Sequence, residues 1–240
     1  YLLFLTVFLP SVAWAQIADL PAGFEVETVA SGFFLPVSAS FAPDGRIFVA
    51  EKSGTVRVVE NGTVLAAPFI TLTDVNDYTD RGLLDVALDP DFATNHYVYL
   101  LYTHEDNPAD YEGPKTARLV RVTESGNVAV PGSEVILLGS LPGPTCENYP
   151  VTADCIASDS GSHTIGSLRF ASDGTIFVST GDGASFTEVD ALALRAQNID
   201  SLAGKILHID KNGKGLPTNP FWNGDADANR SKVWAYGFRN

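Results

Sequence analysis

Methionine is absent from the 240 residues, and basic residues are scarce. Without a methionine the sequence does not contain its own initiator, so we expect its N-terminal segment to be truncated. The 15 Lys and Arg residues stand against 29 Asp and Glu residues, and the net charge is −14. Such a chain repels polyanions, which argues against nucleic acid and anionic membrane surfaces as partners.

Long hydrophobic runs are missing beyond the first 16 residues, so no segment of the mature chain is expected to cross a bilayer. Residues 1–16 themselves are apolar and end in Ala13-Trp14-Ala15, a pattern typical of signal-peptide cleavage. A short membrane anchor is the alternative, but Pro10 interrupts the run. We interpret residues 1–15 as a truncated signal peptide and expect an exported chain, periplasmic or extracellular, that starts near Gln16.

Only two cysteines are present, Cys146 and Cys155, in a loop rich in Pro, Asn and Asp. In an exported protein this spacing favours a local disulfide. A metal pair would need companion ligands at suitable spacing, and these are missing. Two free thiols remain the alternative.

Short apolar runs separated by turn signals dominate the rest of the chain. Asp-Gly or Asn-Gly pairs between β-rich runs predict hairpins, as at Asp44-Gly45, Asn61-Gly62 and Asp173-Gly174. The alternation of apolar and charged residues over 24–29 also predicts a half-buried strand. The hydrophobic content of 45% is sufficient for a sizeable core. The sequence therefore predicts an all-β fold of antiparallel meanders.

An internal repeat refines this prediction, because residues 41–49 (FAPDGRIFV) recur as residues 170–178 (FASDGTIFV). Repeated four-stranded meanders are typical of a β-propeller, whereas a β-sandwich would not explain the repeated unit. We count three meanders, and we expect Lys232 to Tyr236 to be the innermost strand of a fourth blade. A partial ring would expose unpaired strand edges, so we expect further blades beyond residue 240.

His163 is the residue that the sequence pattern itself indicates as a candidate ligand or catalytic group. It lies in a loop of Ser, Asp and Gly, immediately before the predicted strand and hairpin of residues 165–180. A loop histidine on a rigid β scaffold can act as a ligand or a proton acceptor. The alternative is a histidine that only bonds to the neighbouring Ser and Asp residues.

At this point the sequence resembles a known family, that of soluble quinoprotein glucose dehydrogenases and glucose/sorbosone dehydrogenases. The matching segments run in family order over nearly all of the mature chain. They are Leu20-Pro21-Ala22-Gly23-Phe24, Phe41 to Gly45, Arg81-Gly82-Leu83-Leu84 with Asp89 to Phe92, His163 to Phe170 with Gly181-Asp182, Leu202 to Ile206, and Tyr236 to Asn240. The resemblance implies a six-bladed propeller that uses pyrroloquinoline quinone (PQQ) and calcium, of which this chain would cover about three blades and the start of a fourth.

The resemblance also implies roles for individual residues. His163 takes the position of the base that removes the proton of the sugar's anomeric hydroxyl. Arg239 and Asn240 take the position of contacts to PQQ. Asp80 stands where family members have a glutamine that contacts the cofactor, and Ser162 stands where they have an aspartate. The calcium site is expected beyond Asn240, so no metal ligand is assigned within this chain.

The resemblance thus implies PQQ-dependent oxidation of an aldose, a small-molecule sugar, at its anomeric carbon to the lactone, with an electron acceptor that stays unidentified. Asp80 and Ser162 depart from the family pattern, which keeps a second hypothesis open. In that hypothesis the propeller is catalytically silent and binds carbohydrate or a protein partner, as in Hedgehog-interacting-type relatives. A metal-dependent propeller lactonase is a third class, for which the sequence offers no convergent set of carboxylates.

Overall fold

A computed structural model describes residues 20–141 and 143–239 of the chain. The predicted signal peptide, residues 1–15, and the candidate cofactor contact Asn240 lie outside the described residues. Within the described part of the chain, no helix has the length and apolar character needed to cross a membrane.

Three antiparallel sheets make up the fold, and their strands follow one another along the chain. The first sheet contains β1 (Pro36–Phe41), β2 (Ile47–Glu51), β3 (Thr55–Glu60), β4 (Thr63–Val64) and β5 (Ile70–Thr71). The second contains β6 (Leu83–Leu88), β7 (Tyr97–His104), β8 (Lys115–Ser125), β9 (Val128–Ala129), β10 (Val135–Leu138) and β11 (Ile156–Ser158). The third contains β12 (Ile165–Phe170), β13 (Ile176–Thr180), β14 (Lys205–Ile209) and β15 (Val233–Tyr236).

Each sheet is a meander of hairpins. The orders are β1-β2-β3-β4, with β5 also on β3; β6-β7-β8-β10, with β9 and β11 also on β8; and β12-β13-β14-β15. Helical segments are short and lie in the connections. They are α1 (Phe92–Asn95), α2 (Asn229–Lys232) and three 3₁₀ turns at Pro108–Asp110, Cys146–Asn148 and Ala191–Gln197.

The repeated sequence forms the same hairpin twice, between the first two strands of the first sheet and of the third sheet. The amide of Ala42 donates to the carbonyl of Arg46 at 2.8 Å, and the amide of Ala171 donates to that of Thr175 at 2.9 Å. Both turns close on a glycine in the left-handed region, with φ of 93° at Gly45 and 81° at Gly174. The repeat is therefore a structural repeat, as predicted.

Two apolar clusters hold the sheets face to face. One joins the first and second sheets around Phe48, Phe92 and Leu100, and the other joins the second and third sheets around Tyr99, Leu168 and Leu207. Because each cluster is shared by neighbouring sheets and the first strands β1, β6 and β12 lie side by side, the sheets stack as successive blades.

One buried carboxylate, that of Asp85, links the innermost strands of the three sheets. Asp85 of β6 is 1% exposed, and its Oδ2 accepts a hydrogen bond from the amide of Leu168 at 2.8 Å and from Nη1 of Arg169 at 2.6 Å. Its Oδ1 accepts from the hydroxyl of Ser38 in β1. One side chain thus links all three blades at the inner edge of the sheets.

Two strand predictions are wrong. Residues 24–29 form no strand, since no neighbouring strand pairs with them, and Phe24, Val26 and Val29 stay exposed. The predicted innermost strand of a fourth blade is instead β15, the fourth strand of the third sheet. It pairs with β14 through Lys205↔Tyr236 and Ile206↔Ala235. The third sheet would otherwise have only three strands, and β15 completes its outer edge.

Cys146 and Cys155 form a disulfide, and the described chain contains no free cysteine. Thr145, directly before the bridged loop, and Arg195 contact the segment before β12. Thr145 donates to Oδ1 of Asp159 at 2.5 Å, and Arg195 forms an ion pair with the other oxygen of the same carboxylate. The disulfide therefore closes a loop directly after Thr145, which contacts Asp159 in the segment that leads to His163.

Replacing both Cys146 and Cys155 by Ser is expected to lower the free energy of unfolding by about 2–3 kcal/mol, because the short loop regains its freedom in the unfolded chain. Urea unfolding with and without a reducing agent measures this difference. The double variant should be insensitive to the reducing agent. A wild-type protein that loses no stability on reduction would contradict the prediction.

Candidate active site

Loops from all three sheets meet at one edge of the stack. The pairings Pro36↔Glu51, Leu83↔Tyr102, Ile165↔Thr180 and Lys205↔Tyr236 put the starts of β1, β6, β12 and β14 level with the ends of their partner strands. Segments 77–82, 159–164, 181–190 and 237–239 therefore lie at this edge. They contain His163, Asp80 and Arg239.

His163 has a left-handed backbone, with φ of 54°, which is uncommon for a residue other than glycine. Two hydrogen bonds hold this conformation. The carbonyl of His163 accepts from the amide of Gly183 at 2.8 Å, and its amide donates to Oδ2 of Asp80 at 3.3 Å. The loop is therefore fixed from the second blade and from the turn after β13.

The imidazole of His163 has one nitrogen with a defined role. Nδ1 lies 3.2 Å from the carbonyl oxygen of Ala184. A carbonyl can only accept, so Nδ1 carries the proton and Nε2 keeps its lone pair in the neutral ring. Among the described residues Nε2 has no hydrogen-bond partner. The ring is half-buried, and its free nitrogen suits a proton acceptor.

Asp80 binds the histidine loop through three groups. Its amide donates to the carbonyl of Gly161 at 2.9 Å, and its carbonyl accepts from the hydroxyl of Thr164 at 3.2 Å. Its carboxylate accepts from the amide of His163, as described above. The structure thus brings the predicted residues Asp80 and His163 together, with the contact made to backbone atoms of the loop.

Arg239 is joined to a buried acid. Its Nη1 lies 2.8 Å from Oδ2 of Asp182, and its Nη2 donates to the carbonyl of Ser185 at 2.6 Å. Asp182 is 2% exposed, whereas 45% of the Arg239 side chain is accessible. Arg239 is therefore held in one orientation while part of its guanidinium faces solvent.

Two buried cations support these loops, and the sequence analysis gave neither of them a role. Arg81 is fully buried, and it donates to the carbonyl of Ser158 at 3.0 Å and to Oδ1 of Asn76 at 3.2 Å. Lys205 donates to the carbonyls of Ala203 and Ala196 at 2.7 and 2.9 Å. Burial lowers the pKa of Arg81 and lowers that of Lys205 to about 8. Both cations bind backbone carbonyls, and no local sequence motif predicts such contacts.

The ring of Phe186 lies beside that of the candidate base. Its side chain is 74% exposed, and its ring centroid lies 5.8 Å from that of His163, with the two planes tilted by 34°. An exposed aromatic ring thus lies beside the half-buried imidazole. Phe186 lies in a loop without a sequence motif, so no sequence signal pointed to it.

No metal centre is formed by residues 20–141 and 143–239, in which no three His, Cys, Asp or Glu side chains are grouped to hold an ion. The fourth histidine by position, His208, is structural. Its ring stacks on Phe177 at 4.2 Å, and its two nitrogens contact Asn219 and Thr175 at 2.7 and 2.8 Å.

The stacked meanders define the chain as a β-propeller protein, with a histidine and an arginine presented at one edge of the blades. The family model described as Glucose / Sorbosone dehydrogenase matches residues 33–240. The chain belongs to this family, which confirms the resemblance found in the sequence.

Individual relatives are sugar dehydrogenases. The chain is 27% identical over 240 residues to the aldose sugar dehydrogenase YliI of Escherichia coli, covering 98% of this chain and 55% of the relative. It is 27% identical over 239 residues to quinoprotein glucose dehydrogenase B of Acinetobacter calcoaceticus, covering 90% of this chain and 45% of the relative.

A solved structure described as a glucose dehydrogenase has a similar fold. The crystal structure of a putative oxidoreductase (glucose dehydrogenase) from Thermus thermophilus superposes with a TM-score of 0.68 at 31% identity, covering 91% of this chain and 55% of that one. The propeller fold is thereby confirmed. The chain spans about half the length of the curated relatives it matches.

Proposed function

We propose that this chain contributes the proton acceptor, His163, and two cofactor contacts, Arg239 and Asn240, of a PQQ-dependent aldose dehydrogenase. The observation that carries the proposal is the contact between Nδ1 of His163 and the Ala184 carbonyl, which leaves Nε2 without a hydrogen-bond partner among the described residues. Family membership supports sugar dehydrogenase chemistry, and a quinoprotein among the relatives supports PQQ. Residues 1–15 support export, since their pattern is that of a signal peptide.

Arg239 fits PQQ, which is a tricarboxylate. A guanidinium that is anchored through one pair of N–H groups and accessible at the others can donate to a carboxylate. Asp80 fits an anion poorly, and its carboxylate already accepts from the His163 amide. We therefore assign Asp80 to holding the histidine loop. Asn240 keeps its proposed role as a cofactor contact, and calcium is proposed to bind to residues outside this chain.

The reaction needs a base at the anomeric oxygen. PQQ, when bound, supplies the acceptor for the hydride that leaves the anomeric carbon. Nε2 of His163 takes the proton of the anomeric hydroxyl, and the oxygen forms the new C=O bond of the lactone. The bond from Nδ1 to Ala184 favours the tautomer in which Nε2 carries the lone pair, and the same carbonyl stabilises the imidazolium that forms when Nε2 accepts the proton.

The test uses the complete product of the gene that encodes this chain, loaded with PQQ and Ca²⁺. Dye reduction is measured with several aldoses, and formation of the lactone is followed in parallel. Aldose-dependent reduction that requires PQQ supports the proposal. Failure to bind PQQ and to reduce the dye would exclude it, and sugar binding without turnover would favour the catalytically silent propeller instead.

Replacing Phe186 by Ala is expected to raise KM for the aldose about 3–10-fold with little change in kcat. An exposed ring beside the candidate base can pack on a sugar face, and such an aromatic contact contributes about 0.5–1.5 kcal/mol. Phe186→Tyr, which retains the ring, should keep KM near the wild-type value. An unchanged KM in Phe186→Ala would remove the ring from the sugar site.

A further inference from the structure

A single buried carboxylate, that of Asp182, lies between the two residues on which the proposed function depends. Asp182 follows β13 in the turn Gly181-Asp182-Gly183 and is 2% exposed. Its Oδ1 accepts from the amide of Ala184 at 2.9 Å, and its Oδ2 accepts from Nη1 of Arg239 at 2.8 Å. Each oxygen therefore serves a different part of the site.

The first oxygen acts on His163 through one residue, Ala184. Ala184 receives the Nδ1 proton of His163 on its carbonyl, and its amide is bound by Asp182. The turn cannot easily shift, because Gly183 has φ of 64° and its amide donates to the carbonyl of His163. A Cβ at Gly183 would lie 2.7 Å from the carbonyl oxygen of Ala157, so the turn fits closely against β11.

The second oxygen acts on Arg239 directly. The ion pair is reinforced by the backbone, since the amide of Asp182 donates to the carbonyl of Arg239 at 2.9 Å. Nη2 of Arg239 binds the carbonyl of Ser185 in the same loop. The turn after β13 thus sets both the position of the Arg239 backbone and the orientation of its guanidinium.

We propose that Asp182 is a positioning residue that couples the His163 tautomer to the orientation of Arg239. One oxygen holds the amide of Ala184, whose carbonyl accepts the Nδ1 proton, and the other fixes the guanidinium that would meet an anionic cofactor. The catalytic meaning of this coupling rests on the proposed function. The coupling itself is a property of this chain alone and can be measured without cofactor or sugar.

Three variants separate the contact of Asp182 with Ala184 from its contact with Arg239. Asp182→Ala removes both hydrogen bonds. Asp182→Ser keeps an acceptor for the amide of Ala184, as in a local Ser turn, but cannot form the ion pair. Arg239→Gln removes the ion pair and leaves the carboxylate. Asp89→Asn is the matched control, because Asp89 is also buried and pairs with a partly exposed cation, Lys211, at 2.7 Å, away from this site.

The first measurement is the tautomer of His163 in the apo protein, read from long-range ¹H–¹⁵N spectra of the complete gene product labelled at histidine nitrogens. Wild type, Asp182→Ser, Arg239→Gln and Asp89→Asn are expected to show the Nδ1–H tautomer. Asp182→Ala is expected to show both tautomers. A pure Nδ1–H tautomer in folded Asp182→Ala would overturn the proposal.

The second measurement is PQQ affinity, from a titration followed by the absorbance of the quinone. Asp182→Ser should weaken binding about 10-fold, because Arg239 loses its anchor, and Arg239→Gln should weaken it at least as much, because the guanidinium itself is removed. The double variant should be no weaker than Arg239→Gln, since Asp182 acts on the cofactor only through Arg239. This pair keeps the test decisive if Asp182→Ala does not fold. Additive losses, or wild-type affinity in Asp182→Ser, would overturn the coupling.

The two hypotheses fail separately. If the tautomers follow the expected order but no aldose is oxidised, the coupling stands and the proposed function falls. If aldoses are oxidised and Asp182→Ala behaves like Asp89→Asn in tautomer and in PQQ affinity, the proposed function stands and the coupling falls.

Discussion

His163→Asn in the PQQ-loaded gene product is expected to lower kcat for aldose oxidation by about 10²–10⁴-fold, the usual contribution of a positioned general base. Asparagine tolerates the left-handed backbone that residue 163 adopts, so the loop should keep its shape. Its amide cannot accept a proton near neutral pH. The anomeric hydroxyl would then have to lose its proton to water.

The control for this variant is His96→Gln. His96 also has a left-handed backbone, with φ of 57°, but its ring is partly exposed and pairs with Glu124 away from the loops of the candidate site. It should keep wild-type kcat. PQQ affinity, measured by the absorbance titration, should be unchanged in both variants. Wild-type kcat in His163→Asn would exclude His163 as the base, and a parallel loss of PQQ binding would reassign it to the cofactor site.

The local elements of the fold could be predicted because their causes are local. Asp44-Gly45 and Asp173-Gly174 close their hairpins through the aspartate carboxylate, which accepts from the amide two residues on at 3.1 and 3.0 Å, and through a glycine with positive φ. The residues that determine such a turn lie within it. Sequence reasoning therefore finds these turns and the strands on either side.

Strand partners were harder to predict. The alternation of residues 24–29 is that of a strand, but a strand also needs a neighbour, and none pairs with this segment. For β15 the strand was predicted, but its partner strand was not. Its residues were recognised as a strand, yet its partner β14 lies beyond the long polar connection of residues 210–232, and only the structure shows that the chain returns to the same sheet.

The candidate site depends on pairs that are distant in sequence. Asp80 meets the amide of His163 from 83 residues away, and Asp182 meets Arg239 from 57 residues away. The family resemblance identified His163 and Arg239 as candidates. It gave no role to Asp182, although an aspartate between two glycines directly after a predicted strand is a signal that could have been followed. The burial of Asp182 and its ion pair with Arg239 are the observations that support the positioning role proposed above.

Asp85→Ala is expected to lower the free energy of unfolding by about 3 kcal/mol, with a corresponding fall in Tm. The carboxylate is 1% exposed and receives hydrogen bonds from the first and third blades. Its removal leaves the amide of Leu168 buried without an acceptor, since Leu168 is itself fully buried.

A larger apolar residue should not rescue the variant. Replacing a buried ion pair by hydrophobic groups can be neutral when both partners are exchanged, but here one donor is a backbone amide that no substitution removes. Asp85→Leu should therefore be destabilised about as much as Asp85→Ala, whereas Asp173→Ala, which loses only exposed turn contacts, should unfold near the wild-type Tm. Urea and thermal unfolding of the complete gene product measure these differences. Wild-type stability of Asp85→Leu would mean that apolar packing, rather than this carboxylate, holds the innermost strands together.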